Sequence, residues 1–292
     1  MAGFSSCSPD WPEDAPSMGA FVSHVREEGK LLWRELPWRN IGDAYAVLVS
    51  EVMLQQTQVK RVLGRWERFL AKFPTPDALA AAATSDVIME WQGLGYNRRA
   101  LALKRACEIC SADFGGSLPR TAAELEKLPG IGPATAAGVV AFAYDEPALY
   151  LETNVRTVFL HDVFPGREGV RDKEIAPLVA ATCPGEDVRG WYYALLDYGA
   201  HLKATVANPS RRSAHYARQS AFEGSRRQKR AEVVRIVLAA EGTISLEEVR
   251  RLLDDFERGR GRDRVDDELF DSIVSDLAAE GFFSVEGDVA RV

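Results

Sequence analysis

One stretch of the chain, residues 121–155, constrains the fold more than any other. Its sequence is TAAELEKLPGIGPATAAGVVAFAYDEPALYLETNV. Thr121, with a glutamate three residues later, predicts the start of a helix. Gly130 and Gly132 predict a tight turn after that helix, since glycine tolerates backbone conformations that other residues avoid. Pro133 suits the first position of a second helix, so the stretch predicts a hairpin of two helices, and the free N–H groups of the second favour an anion.

A long helical segment, residues 44–74, contains a polar interruption. Apolar residues recur in it at helical spacing, and the pattern breaks at Gln55, Gln56 and Thr57. A polar break between helices is typical of a surface turn. Glu51 lies just before the break, after an apolar run. A lone glutamate in such a position is either paired structurally or used in chemistry, and the spacing alone does not decide between the two.

A second turn, WQGLGYNRRA, occupies residues 91–100. Its two glycines predict a turn between two helices. Tyr96 follows the second glycine, and Arg98 and Arg99 come just behind it. A tyrosine after a glycine turn can be an ordinary core residue, but two neighbouring arginines favour contact with a nucleic acid.

The motifs occur in the order found in the helix-hairpin-helix DNA glycosylases, the HhH-GPD superfamily of endonuclease III and the MutY-type adenine glycosylases. The chain resembles that superfamily over roughly residues 30–220, and SEVMLQQTQV, residues 50–59, matches the MutY-type string. The resemblance implies an all-α, two-lobed HhH-GPD fold. It also implies a monofunctional DNA N-glycosylase of base excision repair. Such an enzyme flips a mismatched or damaged base, here expected to be adenine, and hydrolyses its N-glycosidic bond.

The resemblance assigns the chemistry to two carboxyl groups. Glu51 is the expected proton donor to the adenine ring, and Glu152 is the expected carboxylate beside the sugar cation, with Asn154 as a third catalytic residue. The family places an aspartate where this chain has Glu152, which leaves open whether the activity is altered. The expected DNA contacts are Gln55, Gln56, Thr57, Tyr96, Arg98, Gly130, Gly132, Ala134, Thr135, Arg211 and Arg212.

The resemblance also bears on cofactors. It implies a Na+ or K+ ion at the backbone of Leu128 and Gly130 in the hairpin. Related proteins have four cysteines, spaced C-x6-C-x2-C-x5-C, that bind an iron–sulfur cluster. At those positions this chain has Lys203, Ser210, Ser213 and Gln219. Since none of them is a thiolate, we expect no iron–sulfur cluster and no other cofactor, with the loop held by hydrogen bonds instead.

One residue of the second hairpin helix predicts the reaction type. Bifunctional relatives carry a lysine in this helix, and Ala134 occupies that position here. Without the lysine amine no Schiff base forms between the protein and the sugar. We therefore expect base removal without associated cleavage of the DNA strand.

The net charge of −7 is unusual for a DNA-binding protein, but the charge is unevenly distributed. Of the 36 basic and 43 acidic residues, 8 and 16 fall in residues 231–292, which leaves 28 and 27 for residues 1–230. Residues 203–230 contain eight basic residues and one acidic residue, Glu223. A locally basic surface can supply phosphate contacts, so double-stranded DNA is the expected partner. A solvated basic linker over 226–230 is the alternative.

The expected organisation has five parts. They are a loose tail (1–17), a terminal helical lobe (18–42 and 150–220) with the cluster-less loop 203–219, a helical barrel lobe (43–149) with the helix-hairpin-helix 121–144, a basic linker (221–230) and a winged-helix-like domain (231–292). The last domain is strongly acidic, and contact with another protein is as well supported for it as DNA binding. The chain is expected to be a monomer.

Neither a secretory signal nor a membrane span is predicted. The first 17 residues lack a basic stretch followed by an apolar one, and no apolar run approaches the length that crosses a bilayer.

Cys107 and Cys110 stand in a predicted helix far from other metal ligands, and we expect them to be buried structural thiols. A reducing, cytoplasmic location is expected.

Three other functions stay open on the sequence. One is a glycosylase for another base, such as a mismatched or modified pyrimidine. A second is a DNA-binding relative whose chemistry has degenerated through the change of aspartate to Glu152. A third is a regulator led by the C-terminal domain, which the acidity of that domain disfavours. Glu51 together with Gln55 and Gln56 favours catalysis.

Overall fold

The structure, a computed structural model, describes residues 11–218, 220–240 and 242–292. Helices dominate these residues, as the all-α prediction requires. In chain order they are α1 (Met18–Leu31), α2 (Ala44–Leu54), α3 (Val59–Val62), α4 (Arg65–Lys72), α5 (Pro76–Ala81), α6 (Thr84–Trp91), α7 (Arg98–Asp113), α8 (Ala122–Leu125), α9 (Pro133–Tyr144), α10 (Thr153–Asp162), α11 (Asp172–Thr182), α12 (Val188–Thr205), α13 (Arg226–Ala239), α14 (Leu246–Arg258) and α15 (Asp267–Glu280). A 3-10 turn covers Pro209–Arg212, and the strands are β1 (Thr243–Ser245), β2 (Ser284–Glu286) and β3 (Val289–Arg291). Most of the predicted tail and Gln219 of the predicted loop lie outside the described residues.

The chain forms two compact units. The first consists of Met1–Gln55 and Ser117–Arg218, and the second of Gln56–Gly116 and Gln219–Val292. The helix-hairpin-helix therefore shares a unit with the terminal helices, whereas the prediction put it in the barrel lobe. The predicted C-terminal domain shares the second unit with the segment from Gln56 to Gly116.

The first unit is built around two helices that are apolar on almost every face. In α2 every residue from Tyr45 to Met53 is buried except Glu51, and in α9 every residue from Thr135 to Ala143 is buried. A helix without a polar face has to be enclosed by other elements. Accordingly α2 and α9 pack on each other, and α10 packs on α12.

The helix-hairpin-helix forms as predicted. Thr121 caps α8 by accepting a hydrogen bond from the backbone N–H of Glu124 at 3.3 Å. Gly130 has a φ of 74°, a left-handed conformation that glycine adopts at little cost. Pro133 is the first residue of α9, which ends at Tyr144 as the sequence indicates. Only α8, a single turn, is shorter than the pattern suggests.

A buried ion pair anchors α12 to the LPWRN segment, residues 36–40. The Arg39 guanidinium donates hydrogen bonds to both carboxylate oxygens of Asp197, at 2.8 and 2.6 Å, and lies over the Tyr193 ring at 4.5 Å. Both charged side chains are buried. Breaking such a pair leaves an uncompensated buried charge, which is strongly destabilising. The pair therefore holds α12 in a fixed position against the LPWRN segment. It fixes the helix on which α10 rests.

The second unit combines α3–α7 with the C-terminal helices and strands. Helix α13 packs against α14 and α15, and the strands form an antiparallel sheet in the order β1-β3-β2, with Ala290 paired to both Ile244 and Val285. The segment thus has three helices followed by the β2–β3 ribbon, with β1 between α13 and α14. The winged-helix assignment stays a prediction. The predicted linker is wrong in its second half, because residues 226–230 begin α13 after the N-cap Ser225.

Acidic residues of the C-terminal segment neutralise most of the basic run at the start of α13. The ion pairs are Arg226–Asp276 at 2.6 Å, Lys229–Glu257 at 3.0 Å and Arg230–Glu280 at 2.6 Å. Within the described residues Arg227 is paired with no carboxylate. The run is therefore neither a solvated linker nor a free basic face, and Arg227 alone keeps an uncompensated charge.

Two cysteines of the second unit are buried in one helix. Cys107 and Cys110 are free and buried in α7, as predicted. Burial raises the pKa of the Cys110 thiol to about 11 and that of Cys107 further, so both stay protonated at neutral pH.

Of the helices in the described residues, none combines the length and the apolar character needed to cross a membrane.

Candidate active site

Glu51 is the acidic residue within the apolar stretch of α2, and the residue as a whole is partly exposed, whereas its carboxyl group is turned away from solvent. The phenol O–H of Tyr150, which follows α9, donates a hydrogen bond to Oε2 of Glu51 at 3.2 Å. Gly138 of α9 faces the same oxygen, since a Cβ built there would overlap Oε2 and lie 2.9 Å from Cδ of Glu51. The missing side chain at Gly138 therefore provides the space into which the carboxyl group fits.

The surroundings of Glu51 keep its carboxyl group protonated at neutral pH. Burial raises its pKa from 4.5 to about 8, because the charged form loses its hydration. The hydrogen bond from Tyr150 lowers the pKa, and the negative charge of Glu152 raises it. A carboxylic acid that keeps its proton at neutral pH can serve as a general acid.

Glu152 is the N-cap of α10. Its Oε1 accepts hydrogen bonds from the backbone N–H groups of Asn154 and Val155, at 2.6 and 3.1 Å. Burial raises its pKa above 4.5, while the two amides and the positive charges of Lys203 and Arg156 act to lower it. The two carboxyl groups thus have different environments. Two amides and two cations favour the ionised form of Glu152, whereas Glu51 has a single hydrogen bond for its charged form.

Asn154 is held in place by α12. Its Oδ1 accepts a hydrogen bond from Nζ of Lys203 at 3.0 Å. Gly199 lies directly against the backbone of Asn154, because a Cβ built at Gly199 would come within 2.8 Å of the Asn154 carbonyl carbon. Helix α12 approaches the start of α10 this closely only with glycine at that position. Lys203, which stands at the first cluster-cysteine position, therefore contacts the predicted catalytic segment.

Gln55 ends α2 and is tied to the hairpin. Its Nε2 donates a hydrogen bond to the hydroxyl oxygen of Thr135 at 2.9 Å, and the Thr135 side chain is buried. Gly132, the N-cap of α9, has no side chain to bond the first N–H groups of the helix. An anion can bind there through the amides of Ala134 and Thr135. The next residue after Gln55, Gln56, has a left-handed φ of 52°.

The predicted alkali-ion position in the hairpin keeps a suitable oxygen. The Leu128 carbonyl accepts one hydrogen bond, from the N–H of Ile131 at 3.2 Å. A carbonyl oxygen has two lone pairs, so one remains for a cation. Backbone carbonyls are among the ligands that hard cations prefer. The Leu128 carbonyl can therefore serve as one ligand of the expected Na+ or K+ ion, whose presence stays a prediction.

In the second unit, hydrogen bonds to neighbouring segments hold the turn at residues 91–100, which contains the predicted DNA contacts Tyr96 and Arg98. Tyr96 has a left-handed φ of 48°, which is uncommon for a bulky residue and often marks a functional position. Its hydroxyl accepts a hydrogen bond from Nη1 of Arg227 at 2.6 Å. Arg99 donates to the hydroxyl oxygen of Thr57 at 3.0 Å. The Arg98 side chain is 75% exposed, with a long ion pair of 3.8 Å to a glutamate of α15.

An arginine closes the loop in which the cluster cysteines are replaced. Arg212 donates from Nη1 to the Phe164 carbonyl at 2.6 Å and from Nη2 to the Leu160 carbonyl, at the C-terminal end of α10. Asn208 caps the 3-10 turn by accepting from the Ser210 N–H at 3.1 Å. The loop is therefore held by hydrogen bonds, as predicted. Arg212, predicted to contact DNA, has its guanidinium engaged by carbonyls, whereas the exposed Arg211 side chain has no partner among the described residues.

The described part of this loop does not fit an iron–sulfur cluster. Lys203, Ser210 and Ser213 offer no thiolate. Among the residues that the structure describes, no group of three or more His, Cys, Asp or Glu side chains is placed to hold a metal ion. The absence of a cluster from the protein itself stays a prediction.

Arg212→Ala is expected to lower the melting temperature by about 5 °C, since two carbonyls lose a charged donor and the loop loses its anchor. Arg211→Ala is the matched control, because it removes a neighbouring arginine without these bonds, and its Tm should stay at the parental value. Thermal unfolding by circular dichroism measures both. Equal melting temperatures for the two variants would contradict the assignment of Arg212 as the anchor.

Gly138→Ala is expected to reduce the rate of base excision by about 10²-fold, a loss that follows from displacing a reacting group by roughly 1 Å. The new Cβ overlaps the flexible end of the Glu51 side chain and comes to 3.0 Å from the Tyr150 ring, so the carboxyl group has to move. Gly19→Ala in α1 is the control, because no described atom lies within 4 Å of a Cβ at Gly19. Single-turnover excision is measured for both variants. A parental rate for Gly138→Ala would mean that Glu51 is not confined by α9.

The structure adds site residues that the sequence did not single out. Tyr150 lies in the loop after α9, and nothing local connects it to Glu51, which lies 99 residues away in the chain. Gly138 is one of several small residues of α9, and its place in the sequence assigns it no role. Lys203 stands at a cluster-cysteine position, which gives no sign of its contact with Asn154. The contact between Glu51 of α2 and Gly138 of α9 can be recognised only when the two helices are packed on each other.

Comparisons with known proteins agree with this arrangement. The sequence profile of the HhH-GPD superfamily base excision DNA repair proteins matches residues 49–175, which include both Glu51 and Glu152. The chain is 32% identical over 294 residues to an adenine DNA glycosylase of Mycobacterium tuberculosis, which covers 91% of this chain and 95% of that protein. It is 36% identical over 178 residues to an adenine DNA glycosylase of Mycolicibacterium smegmatis, over 60% of each.

A solved structure shares the fold. A non-covalent endonuclease III–DNA complex aligns with a TM-score of 0.56 at 22% identity, over 65% of this chain and 89% of that chain. The all-α HhH-GPD glycosylase fold expected from the sequence is thus confirmed. By its similarity to the mycobacterial protein over nearly the full length of both, the chain belongs to the adenine DNA glycosylase family, within the HhH-GPD superfamily of base excision DNA repair proteins.

Proposed function

We propose that this protein is a monofunctional adenine DNA glycosylase, which flips an adenine out of double-stranded DNA and hydrolyses its N-glycosidic bond. The observation that carries the proposal is the pair of unlike carboxyl groups in the first unit. Glu51 holds a proton at neutral pH, and Glu152 is oriented by two backbone amides. Relatives named adenine DNA glycosylases support adenine as the base.

Glu51 acts as the general acid. Adenine is a poor leaving group until its ring is protonated, and the Glu51 carboxyl group gives up that proton as the bond between base and sugar breaks. The bonding electrons go to the base, and positive charge develops on the sugar. Once Glu51 has given up its proton, it is a carboxylate. The hydrogen bond from Tyr150 stabilises this charged form more than the protonated form, so it favours the proton transfer.

Glu152 stabilises the sugar cation. Its Oε1 is engaged by the amides of α10, and none of the described residues donates to Oε2, which leaves that oxygen for the substrate. A preorganised carboxylate in a site of low dielectric is worth far more than one in water. A water molecule then adds to the sugar cation and releases a proton, which restores the acid form of Glu51 and completes hydrolysis. Because Ala134 stands where a lysine would form a Schiff base, the DNA strand stays intact.

Each unit contributes groups that suit DNA. In the first, the N-terminal amides of α9 and the exposed Arg211 suit phosphates. Thr135 contributes through its backbone, since its hydroxyl bonds Gln55. In the second, Tyr96 and its neighbour Arg98 suit the wedge role, in which an aromatic side chain offsets the unstacking of a flipped base.

The proposal is tested with a panel of duplexes, each with one mismatch or one modified base, incubated with the purified protein and then treated with alkali. We expect alkali-labile sites only at adenine, and no strand cleavage or borohydride-trapped complex before alkali. Excision of a pyrimidine instead of adenine would replace the proposed substrate by the alternative one. Cleavage before alkali would overturn the monofunctional assignment.

The pH dependence follows from the two carboxyl groups. We expect the excision rate at sub-saturating protein to fall as the pH rises through about 8, where Glu51 loses its proton. Tyr150→Phe removes a hydrogen bond that lowers the pKa of Glu51. In this variant the fall of the rate at alkaline pH (the alkaline limb of the pH profile) should therefore occur at a higher pH. Tyr216→Phe, at an exposed tyrosine, is the control and should leave the profile unchanged. An alkaline limb that stays in place in Tyr150→Phe would argue against Glu51 as the acid.

A further inference from the structure

Lys203, near the end of α12, contacts the start of α10. Its Nζ donates a hydrogen bond to Oδ1 of Asn154, the second residue of α10, at 3.0 Å and across 49 residues of the chain. A lysine ammonium has donors only, so the end of the Asn154 amide that faces it has to be the oxygen. The contact therefore fixes the orientation of this amide, with its oxygen toward α12.

The fixed orientation leaves the other end of the amide available. Nδ2 of Asn154 has two N–H donors, and no described residue accepts from them. The backbone N–H of the same residue donates to Oε1 of Glu152 at 2.6 Å. Asn154 thus bonds the carboxylate that is proposed to stabilise the sugar cation. Two free donors on this residue suit an oxygen of the sugar or of the attacking water.

The backbone of Asn154 keeps its place without Lys203. Gly199 lies one helical turn before Lys203, on the same face of α12, and packs directly against that backbone. The N-cap bonds of Glu152 hold the first turn of α10. Lys203 itself is exposed, and an exposed polar contact contributes little to stability. Loss of the lysine amine therefore releases the Asn154 amide and leaves the fold intact.

We propose that Lys203 is a positioning residue of the reaction, which holds the Asn154 amide with its two N–H groups free for an oxygen at the reacting sugar. The proposal rests on the proposed function, which places the sugar beside Glu152. Lys203 acts through Asn154 and touches neither the base nor the sugar. A position that holds a cluster cysteine in related proteins therefore serves the catalytic segment directly in this chain.

Single-turnover excision at saturating protein tests the role. Lys203→Met keeps most of the side-chain length but has no N–H donor, and we expect a rate about tenfold below the parent, because the amide is no longer held in the reactive geometry. Lys203→Arg restores a charged donor and should recover most of the rate. Lys173→Met, at an exposed lysine of α11 in the same unit, is the control and should keep the parental rate. All three variants should keep the parental Tm.

A double variant shows whether Lys203 acts through Asn154. Asn154→Ala removes the amide, so adding Lys203→Met to it should lower the rate no further, which is the non-additivity expected of residues in contact. A tenfold further loss would mean that Lys203 acts on Glu152 through its charge alone, and it would contradict the proposal.

The Asn154 amide also gives a signal that needs no excision. In a ¹⁵N–¹H NMR spectrum of the free protein, the side-chain amide pair that disappears in Asn154→Ala belongs to this group. We expect this pair to shift in Lys203→Met and to stay in place in Lys173→Met. An unshifted pair in Lys203→Met would show that the contact does not orient the amide and would overturn the proposal.

The remaining outcomes separate this role from its alternatives. Weaker binding of an uncleavable duplex by Lys203→Met, with a salt dependence lower by about one phosphate contact and a parental rate at saturation, would identify Lys203 as a DNA contact and contradict the positioning role. A parent protein that excises adenine at the same rate as Lys203→Met would refute the proposal alone. A parent protein without excision on any duplex would refute the proposed function, and a shifted amide pair would still establish the contact.

Discussion

Glu51→Gln is expected to lower the single-turnover rate of adenine excision by about 10³-fold, within the range of general acid catalysis. Glutamine keeps the size of the side chain and can still accept the hydrogen bond from Tyr150, so the geometry of the site persists. It has no acidic proton to give to the adenine ring. Affinity for an uncleavable duplex, measured by fluorescence anisotropy, should stay close to that of the parent protein.

The stability of this variant provides its control. The folded pKa of Glu51, about 8, is above its ordinary value of 4.5, so between these pH values the folded protein keeps a proton that the unfolded chain has lost. Stability is therefore lost as the pH rises through this window. Glutamine does not ionise, and the Tm of Glu51→Gln at pH 8 should equal or exceed that of the parent. An inactive variant with a lower Tm would indicate a damaged fold and not a missing proton.

Glu152→Gln is expected to reduce the excision rate by about 10³-fold through loss of the charge beside the sugar cation. The glutamine oxygen can still accept from the amides of Asn154 and Val155, so the cap of α10 is kept. The expected Tm is thus near the parental value. Single-turnover rates at saturating protein check the prediction, and excision at the parental rate would place the stabilising carboxylate elsewhere.

Glu152→Asp separates two interpretations of the longer side chain. Aspartate is a good N-cap and should take over the bonds to the α10 amides. Its free oxygen would then lie closer to the helix than Oε2 of Glu152 does, and a shift of about 1 Å can cost up to 10²-fold in rate. We therefore expect a rate between those of the parent and Glu152→Gln. A rate above the parent would mean that Glu152 is a weakened form of the family aspartate.

The parts of the fold that local chemistry determines could be predicted from the sequence. The hairpin from Thr121 to Tyr144 is determined by a cap, a glycine turn and Pro133, each acting within a few residues. The break after Glu51 follows from the loss of apolar periodicity at Gln55. These features depend on neighbours in the chain, so they could be found without knowing the tertiary structure.

Contacts between distant segments could not be predicted in this way. Tyr150 reaches Glu51 across 99 residues and Arg227 reaches Tyr96 across 131, and no local pattern encodes either contact. The roles assigned to Glu51 and Glu152 came from the family resemblance. The structure adds their unlike environments, because desolvation and helix capping depend on how the elements pack.

The basic run at 226–230 illustrates a second limit. Its composition favoured a linker, since five closely spaced polar residues give no apolar stripe. In the structure these residues begin a helix, and acids 28 to 50 residues later in the chain pair with Arg226, Lys229 and Arg230. Charge compensation across such a distance is invisible to a window of a few residues, so the boundary was misplaced.

The most direct test of the proposed activity is the release of free adenine in a single turnover. Excess protein is mixed with a duplex that contains one mismatched adenine, and the freed base is quantified by liquid chromatography while strand integrity is followed before and after alkali. We predict one adenine per duplex and a strand that breaks only after alkali. Retention of all adenine on every mismatched duplex, by a protein that still binds them, would contradict a glycosylase and identify a DNA-binding relative without chemistry.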